Sequence, residues 1–145
     1  MGGATTMMTS GIHLPRQVKA FVEDCGYDSL NAELNYEAGN LYNIPRVIRA
    51  PLIGSLSLIN RVKNGFYTHE ASSTAMLARN HRPMLFIHGS KDTFVPTKMV
   101  YQNYAAMKGP KKLWVVKGAK HAASYEKEPH EYPQHVARFL NQYVK

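Results

Sequence analysis

Two loop residues of complementary chemistry stand out in the second half of the chain. Asp92 lies five residues beyond Ile87 in "MLFIHGSKDTFVP", and His121 lies five residues beyond Val116 in "VVKGAKHAASY". A carboxylate beside an imidazole can orient the ring and stabilise its charged form, which makes the imidazole an effective general base. Taken singly, a loop aspartate is usually a turn former and a loop histidine is usually solvated. Their matched places after successive apolar runs favour a functional pair.

Such a pair requires strands whose carboxyl ends meet. The apolar run 84–87, closed by His88 and followed by Gly89, is typical of a strand buried on both faces of a parallel sheet. The segment "KKLWVVKGAKH" repeats this pattern of strand followed by glycine, and β-branched and aromatic residues predict another strand over 18–23. Reacting groups gather at the carboxyl ends of parallel strands. The sequence therefore predicts an α/β fold with both side chains at one edge of the sheet.

Helical patterns fill the spaces between these strands. We expect helices over 2–10, over 98–107 with Thr97 as its cap, and from about 129 onwards. The stretch 29–82 shows no convincing strand, and its apolar residues recur at helical spacing. Pro45, Pro51 and Gly65 are expected to divide it into short helices. The natural description of this stretch is a helical insertion.

The two loop segments resemble the acid and histidine segments of the α/β-hydrolase superfamily. Within it they are similar to intracellular serine hydrolases related to esterases and to the prolyl-oligopeptidase catalytic domain. The resemblance implies that Asp92 is the family acid and His121 the family histidine. It also implies a single partial domain over 1–145, the C-terminal half of the fold. That half has three parallel strands with flanking helices and a helical lid at about 29–82.

The beginning of the chain carries a second part of the resemblance. "MGGATTMM" looks like the end of the nucleophile motif G-x-S-x-G, starting one residue after the serine. On this reading the backbone N–H of Met1 lines the oxyanion hole, and Gly2 and Gly3 permit close packing of helix on strand. The nucleophile then lies outside the chain. We therefore expect the chain to be inactive alone, because Ser124 and the other serines lack the tight strand-to-helix turn.

The resemblance implies hydrolysis of a small-molecule ester, or less readily of an amide or peptide, without a cofactor. Tyr27 and Phe94 are candidates for the substrate pocket, although ordinary packing at strand ends explains them as well. The alternative is a non-catalytic fragment or an oligomeric binding protein of hydrolase ancestry. The first predicted strand would expose an edge, which favours a homo-oligomer or association with a missing N-terminal half.

Composition narrows the remaining possibilities. The net charge of +8 suggests nucleic-acid binding, but the 18 lysines and arginines are spread along the chain, so a solvated basic face is favoured. No apolar stretch approaches the ~18 residues of a membrane span. The single cysteine, Cys25, suits a reducing, cytoplasmic setting and is interpreted as a structural thiol. The histidines show no metal-ligand spacing, because His130 and His135 point in different directions on a helix.

Overall fold

A computed structural model describes residues 1–144. The elements follow in chain order: α1 (Gly2–Ser10), β1 (Phe21–Asp24), α2 (Leu30–Asn40), α3 (Arg46–Asn64), a 3-10 turn (Thr68–Glu70), α4 (Ser73–Leu77), β2 (Met84–Gly89), α5 (Lys98–Ala106), β3 (Lys111–Val116), α6 (Ser124–Lys127) and α7 (Glu131–Tyr143). Strands and helices alternate outside the insertion, which is the order expected of an α/β fold with a parallel sheet.

The three strands form one parallel sheet in the order β1-β2-β3. In this register Val22 pairs with Leu85, and Leu85 pairs with Lys112. The central strand β2 is buried along its whole length, as its continuous apolar run predicts. The first strand begins at Phe21 rather than at residue 18, because the N–H of Val18 donates to Pro15 O in a turn instead of joining the sheet.

Helices cover both faces of the sheet. On one face Phe86 of β2 packs with Met7 of α1 and Val100 of α5. On the other face Leu85 and Ile87 pack with Phe139 of α7. Successive side chains of a strand point to opposite faces, so the apolar residues of β2, 84–87, meet an apolar layer on each side of the sheet. This two-sided burial fixes the carboxyl end of β2, from which Asp92 projects.

The packing of α1 against β1 depends on one of its two glycines. A Cβ at Gly3 would lie 2.8 Å from the carbonyl oxygen of Asp24 and 2.9 Å from the amide nitrogen of Gly26, whereas a Cβ at Gly2 would meet nothing within 4 Å. The prediction that glycine permits close helix–strand packing therefore holds for Gly3 and is wrong for Gly2, which lies in open space.

The insertion is helical, as predicted, but its longest helix is not broken at Pro51. Helix α3 begins after Pro45, runs through Pro51 and ends at Gly65, whose φ of +84° is left-handed. Pro51 lies near the start of α3, and its missing N–H leaves only the carbonyl of Val47 without a helical partner. Because Val47 is 83% exposed, water can hydrate that carbonyl.

Two hydroxyl groups at the starts of helices form hydrogen bonds outside those helices, and for Thr97 this differs from the predicted cap. Thr97 does not cap α5, because its hydroxyl donates to the carbonyl of Gly89 at 2.8 Å. Ser124 is the first residue of α6; its hydroxyl is buried and donates to Asp24 Oδ1 at 3.1 Å. The Ser124 bond connects segments that are 100 residues apart in the sequence. The C-terminal helix begins at Glu131, slightly later than expected.

Candidate active site

The carboxyl ends of the three strands bring Cys25, Asp92 and His121 together. Cys25 follows β1, Asp92 follows β2 and His121 follows β3. His121 Nδ1 lies 2.8 Å from Asp92 Oδ2, so the contact that the sequence predicts between these two side chains is present. Because an ionised carboxylate only accepts hydrogen bonds, Nδ1 carries the proton and donates it.

Asp92 is held by hydrogen bonds on both carboxylate oxygens. Oδ1 accepts from the backbone N–H groups of Phe94 at 3.0 Å and Val95 at 2.9 Å. Oδ2 faces His121 Nδ1 and, at 3.3 Å, the Nε2 of His88. Burial alone would raise the pKa of Asp92, but the hydrogen bonds from His88, His121 and Val95 outweigh it and lower the pKa to about 2. The group is therefore ionised at neutral pH, as an orienting carboxylate must be.

His88 is a partner of Asp92 that the sequence analysis did not identify. Its side chain is completely buried, and its Nε2 lies 2.9 Å from the carbonyl of Val95 as well as close to Asp92. Both neighbours of Nε2 are acceptors, so Nε2 carries the proton in the arrangement that satisfies them. The signal available in the sequence was the i, i+4 spacing of His88 and Asp92 across the end of a buried strand.

The other ring nitrogen of His121 is the one available for chemistry. The side chain of His121 is 30% exposed. The ring of Phe94 lies beside the His121 ring, with a centroid separation of 4.9 Å. Because Nδ1 is engaged by Asp92, Nε2 is the atom that can accept a proton from a substrate or nucleophile. Phe94 is itself half-exposed, so it lies where a ligand approaching the ring would contact it.

The thiol of Cys25 is a structural contact of the histidine loop. Its Sγ donates to Asp24 Oδ1 at 3.0 Å and accepts from the N–H of Ala122 at 3.4 Å. Cys25 and Ala122 both have left-handed backbones, with φ of 57° and 54°, a conformation that costs free energy in residues other than glycine. Burial, together with the hydrogen bond to Asp24, raises the pKa of the thiol far above its usual value. A protonated thiol is a poor nucleophile.

The same three residues offer potential metal-ligand atoms within 4.8 Å of one another. Each of these atoms already has a protein partner: Nδ1 and Oδ2 bind each other, and the thiol bridges Asp24 and Ala122. A metal ion would have to displace the Asp92–His121 hydrogen bond and remove the thiol proton. The contacts of the described residues therefore favour a proton-transfer pair.

Two carboxylates on α2 lie near the pair. Neither oxygen of Glu33 or of Glu37 has a hydrogen-bond partner within residues 1–144. Burial raises the pKa of Glu33 to about 7, and the charges of Glu37, Asp92 and Asp28 act in the same direction. Burial also raises the pKa of Glu37, against the opposing charge of His121. The surroundings of the pair are therefore acidic, although the chain as a whole carries +8.

The remaining residues predicted for the site lie in different environments. Met1 precedes α1 and is 83% exposed, and its carbonyl accepts from the N–H of Thr5. Tyr27 is 6% exposed and packs in a cluster with Ala4, Val95 and Met99. Of the two predicted pocket residues, Phe94 contacts the His121 ring, whereas Tyr27 belongs to the buried cluster with Ala4, Val95 and Met99.

Solved structures with the same architecture are esterases and a peptidase. The esterase Pf2001 of Pyrococcus furiosus superposes with a TM-score of 0.68 over 99% of this chain and 51% of its own, at 16% identity. The acylaminoacyl peptidase of Pyrococcus horikoshii gives 0.71 over 99% of this chain and 23% of its own, at 16% identity. The acetyl xylan esterase of Paenibacillus sp. R4 gives 0.67 over 99% and 43%, at 16% identity. The fold is α/β-hydrolase-like.

Sequence comparison finds a relative that aligns with almost the whole chain. The uncharacterized protein YqkD of Bacillus subtilis (strain 168) is 28% identical over 141 residues, which cover 97% of this chain and 45% of YqkD. No family model matches the chain. The chain thus spans about half or less of the length of the proteins it resembles. The three parallel strands, flanking helices and helical insertion agree with the fold that the α/β-hydrolase resemblance implied.

Proposed function

We propose that this chain is the part of a serine hydrolase that carries the acid and the histidine of the catalytic triad. The substrate class is a carboxylic ester, and less readily an amide or peptide. The observation that supports this proposal is the 2.8 Å hydrogen bond from His121 Nδ1 to Asp92, at the carboxyl ends of adjacent strands. The ionised state of Asp92 and the partial exposure of the His121 ring suit the same roles.

In the proposed reaction, His121 moves a proton and Asp92 holds its ring. Nε2 of His121 takes the proton from a serine hydroxyl while the serine oxygen bonds to the ester carbonyl carbon. His121 then gives this proton to the leaving alcohol as the ester C–O bond breaks, and water repeats the cycle to release the acid. Asp92 remains ionised and stabilises the imidazolium. The backbone N–H of Met1 is the proposed donor to the developing oxyanion.

The nucleophile in this proposal lies outside the chain. Ser124, the serine nearest to His121 in sequence, is fully buried and its hydroxyl donates to Asp24. A histidine without a positioned hydroxyl has no nucleophile to activate, and loss of the nucleophile removes orders of magnitude of turnover. The chain alone is therefore expected to be inactive. An ancestral hydrolase fold retained for binding is the alternative function.

A chimera tests the proposal directly. The residues of YqkD that precede the aligned segment are joined in front of Met1, and hydrolysis of p-nitrophenyl acetate and labelling by a fluorophosphonate probe are measured. The chimera is expected to react with both, whereas the 145-residue chain is expected to react with neither. His121→Ala should lower turnover by roughly a thousand-fold or more, while the exposed His130→Ala should leave it unchanged.

Three outcomes would contradict the proposal. A folded chimera that neither hydrolyses the ester nor takes up the probe would favour the binding alternative. Equal activity in the His121→Ala and His130→Ala variants would remove His121 from the reaction. Ester turnover by the 145-residue chain alone, abolished by His121→Ala, would contradict the assignment of the nucleophile to a residue outside it.

A further inference from the structure

Helix α3 presents large apolar side chains to solvent. Seven of them, between 40% and 83% exposed, define what we call the outer face of α3: Val47, Ile48, Leu52, Leu56, Leu58, Ile59 and Val62. At 3.6 residues per turn these positions fall within an arc of roughly 180° on one side of the helix. Scattered exposed apolar residues are ordinary, but a continuous apolar arc of this width marks an interaction surface.

The side of α3 that faces the protein is held largely by polar contacts. Ser57 is buried and its hydroxyl accepts from the N–H of Thr68 at 3.0 Å. Arg49 donates to the carbonyl of Ile44 at 2.7 Å, and Asn60 donates to the carbonyl of Phe66 at 2.6 Å. A surface helix normally packs its apolar stripe inward and exposes its polar side. Helix α3 has the opposite orientation, so its apolar side is free to meet something other than this domain.

The charges on α3 and on the chain segments directly before and after it are all positive. The helix carries Arg46, Arg49, Arg61 and Lys63, and the sequence from 38 to 69 contains no aspartate or glutamate. On the helical projection Arg49 and Arg61 border the apolar arc on its two sides, and Lys63 lies within it near the C-terminal end. Basic residues bordering an apolar arc are typical of helices that lie in the interface of an anionic membrane.

Charge also decides between two possible occupants of the outer face. A second copy packed through the outer face would bring Arg49, Arg61 and Lys63 of one helix towards the same residues of the other, with no carboxylate on either helix to compensate. Like charges brought together at an interface oppose association. A bilayer that contains anionic phospholipid accepts the apolar side chains and pairs its phosphates with the same arginines and lysine.

We infer that the outer face of α3 docks on the surface of an anionic phospholipid bilayer. The helix lies in the plane of the membrane, with its apolar side chains below the headgroups and its basic side chains at the level of the phosphates. This is peripheral attachment: within residues 1–144 no helix is both long enough and apolar enough to span a bilayer. The docking does not depend on the proposed hydrolase activity.

Vesicle co-sedimentation of the 145-residue chain tests the docking. The chain is expected to bind vesicles of phosphatidylglycerol and phosphatidylcholine at least ten-fold more tightly than vesicles of phosphatidylcholine alone. Leu52→Ser combined with Ile59→Ser should reduce this binding ten-fold or more. The matched control combines Ile12→Ser with Tyr101→Ser, which are 55% and 53% exposed but lie outside α3; binding should be unchanged. Circular dichroism checks that each variant is folded.

A second set of variants separates α3 from the general basic character of the chain. Arg61→Gln and Lys63→Gln, at exposed positions beside the apolar side chains, should each weaken binding to the phosphatidylglycerol vesicles about five-fold. The exposed Lys117→Gln and Lys120→Gln, on the loop after β3, should have a much smaller effect. Equal losses in the two pairs would mean that net charge, rather than α3, drives the binding.

Two further results would overturn the docking. Equal affinity for neutral and anionic vesicles, or unchanged binding in the α3 double variant, would exclude the outer face as a lipid contact. If sedimentation velocity without lipid shows a dimer that the α3 double variant converts to a monomer, the occupant is a second copy of the chain.

Discussion

A single carboxyl group, that of Glu33, reports on the acidic surroundings of the site. Its pKa of about 7 lies above the value of about 4.3 for a free glutamate in an unfolded chain. The pKa of Glu33 is thus higher in the folded chain than in the unfolded chain. In that case the stability that the protonated carboxyl contributes is fully present at pH values below the pKa of the unfolded chain. It is lost as the pH rises through the folded pKa. Ionisation of Glu33 therefore destabilises the fold between about pH 4 and pH 8.

The first prediction follows from the raised pKa of Glu33. Glu33→Gln should stabilise the chain at pH 8 and have little effect at pH 5, because glutamine cannot acquire the buried charge. The difference between the two pH values is expected to be at most roughly 3 kcal/mol in the free energy of unfolding. Urea unfolding at both pH values measures it, with the exposed Glu131→Gln as the control. Parallel pH profiles for the wild type and Glu33→Gln would show that Glu33 keeps an ordinary pKa in the folded chain.

At the scale of single residues, the sequence predicts the contact between Asp92 and His121 but not the buried groups around them. Asp92 and His121 could be placed because each follows an apolar strand by a short loop. His88 and Glu33 could not, because their environments depend on the packing of segments distant in sequence. Nothing local distinguishes a buried glutamate on α2 from a solvated one. The left-handed backbone of Cys25 likewise has no local signal such as a glycine.

The helix α1 provides a comparison between two adjacent glycines. A side chain at position 3 would press on the backbone of the β1 end, whereas position 2 is open. Gly3→Ala should therefore destabilise the fold by roughly 2 kcal/mol or more, since the backbone atoms it meets cannot rotate away. Gly2→Ala should be neutral or stabilising by up to about 1 kcal/mol through helix propensity.

Thermal and urea unfolding of the two variants measures the comparison. Both substitutions add one methyl group to helix α1. The gain in helix propensity is therefore the same in both variants and cancels when they are compared. Equal effects of the two substitutions would show that α1 does not pack closely on β1. If Gly3→Ala is too unstable to purify while Gly2→Ala behaves normally, the predicted contact is supported.

The accuracy of the sequence prediction at the element scale follows from burial. Strand β2 could be predicted because burial of both its faces requires apolar residues at successive positions, and this gives a continuous apolar run in the sequence. Helix α1 is predicted with its observed bounds. The errors occur where tertiary contacts override local preference: the hydroxyl of Thr97 bonds to Gly89 rather than capping α5, and Pro51 is accommodated within α3.

At the scale of the whole molecule, β1 is an edge strand of the sheet. The N–H groups of Phe21 and Cys25 donate to segments on the β2 side, and alternation along a parallel strand directs those of Val22 and Asp24 to the open side. An unpaired edge is a template for another strand. We therefore predict association through β1, either between copies or with a strand from the missing N-terminal half of a longer chain.

Sedimentation velocity between about 5 and 100 µM tests this association, since self-association raises the sedimentation coefficient with concentration. Val22→Pro should weaken it, because proline removes an N–H on the open side and leaves the β1–β2 hydrogen bonds in place. The α3 double variant should not affect it. A monomer at every concentration would contradict self-pairing of the edge.

The same topology also bears on how the insertion can vary. Phe21 of β1 pairs with Met84 of β2, so pairing these neighbours closes a loop that contains the whole insertion. The entropy lost on loop closure rises only with the logarithm of its length, about 0.6 kcal/mol for each doubling. Residues can thus be added to or removed from this loop at small thermodynamic expense while the strand ends stay in register. The insertion can therefore change in length while the two loops that carry Asp92 and His121 keep their places at the ends of β2 and β3.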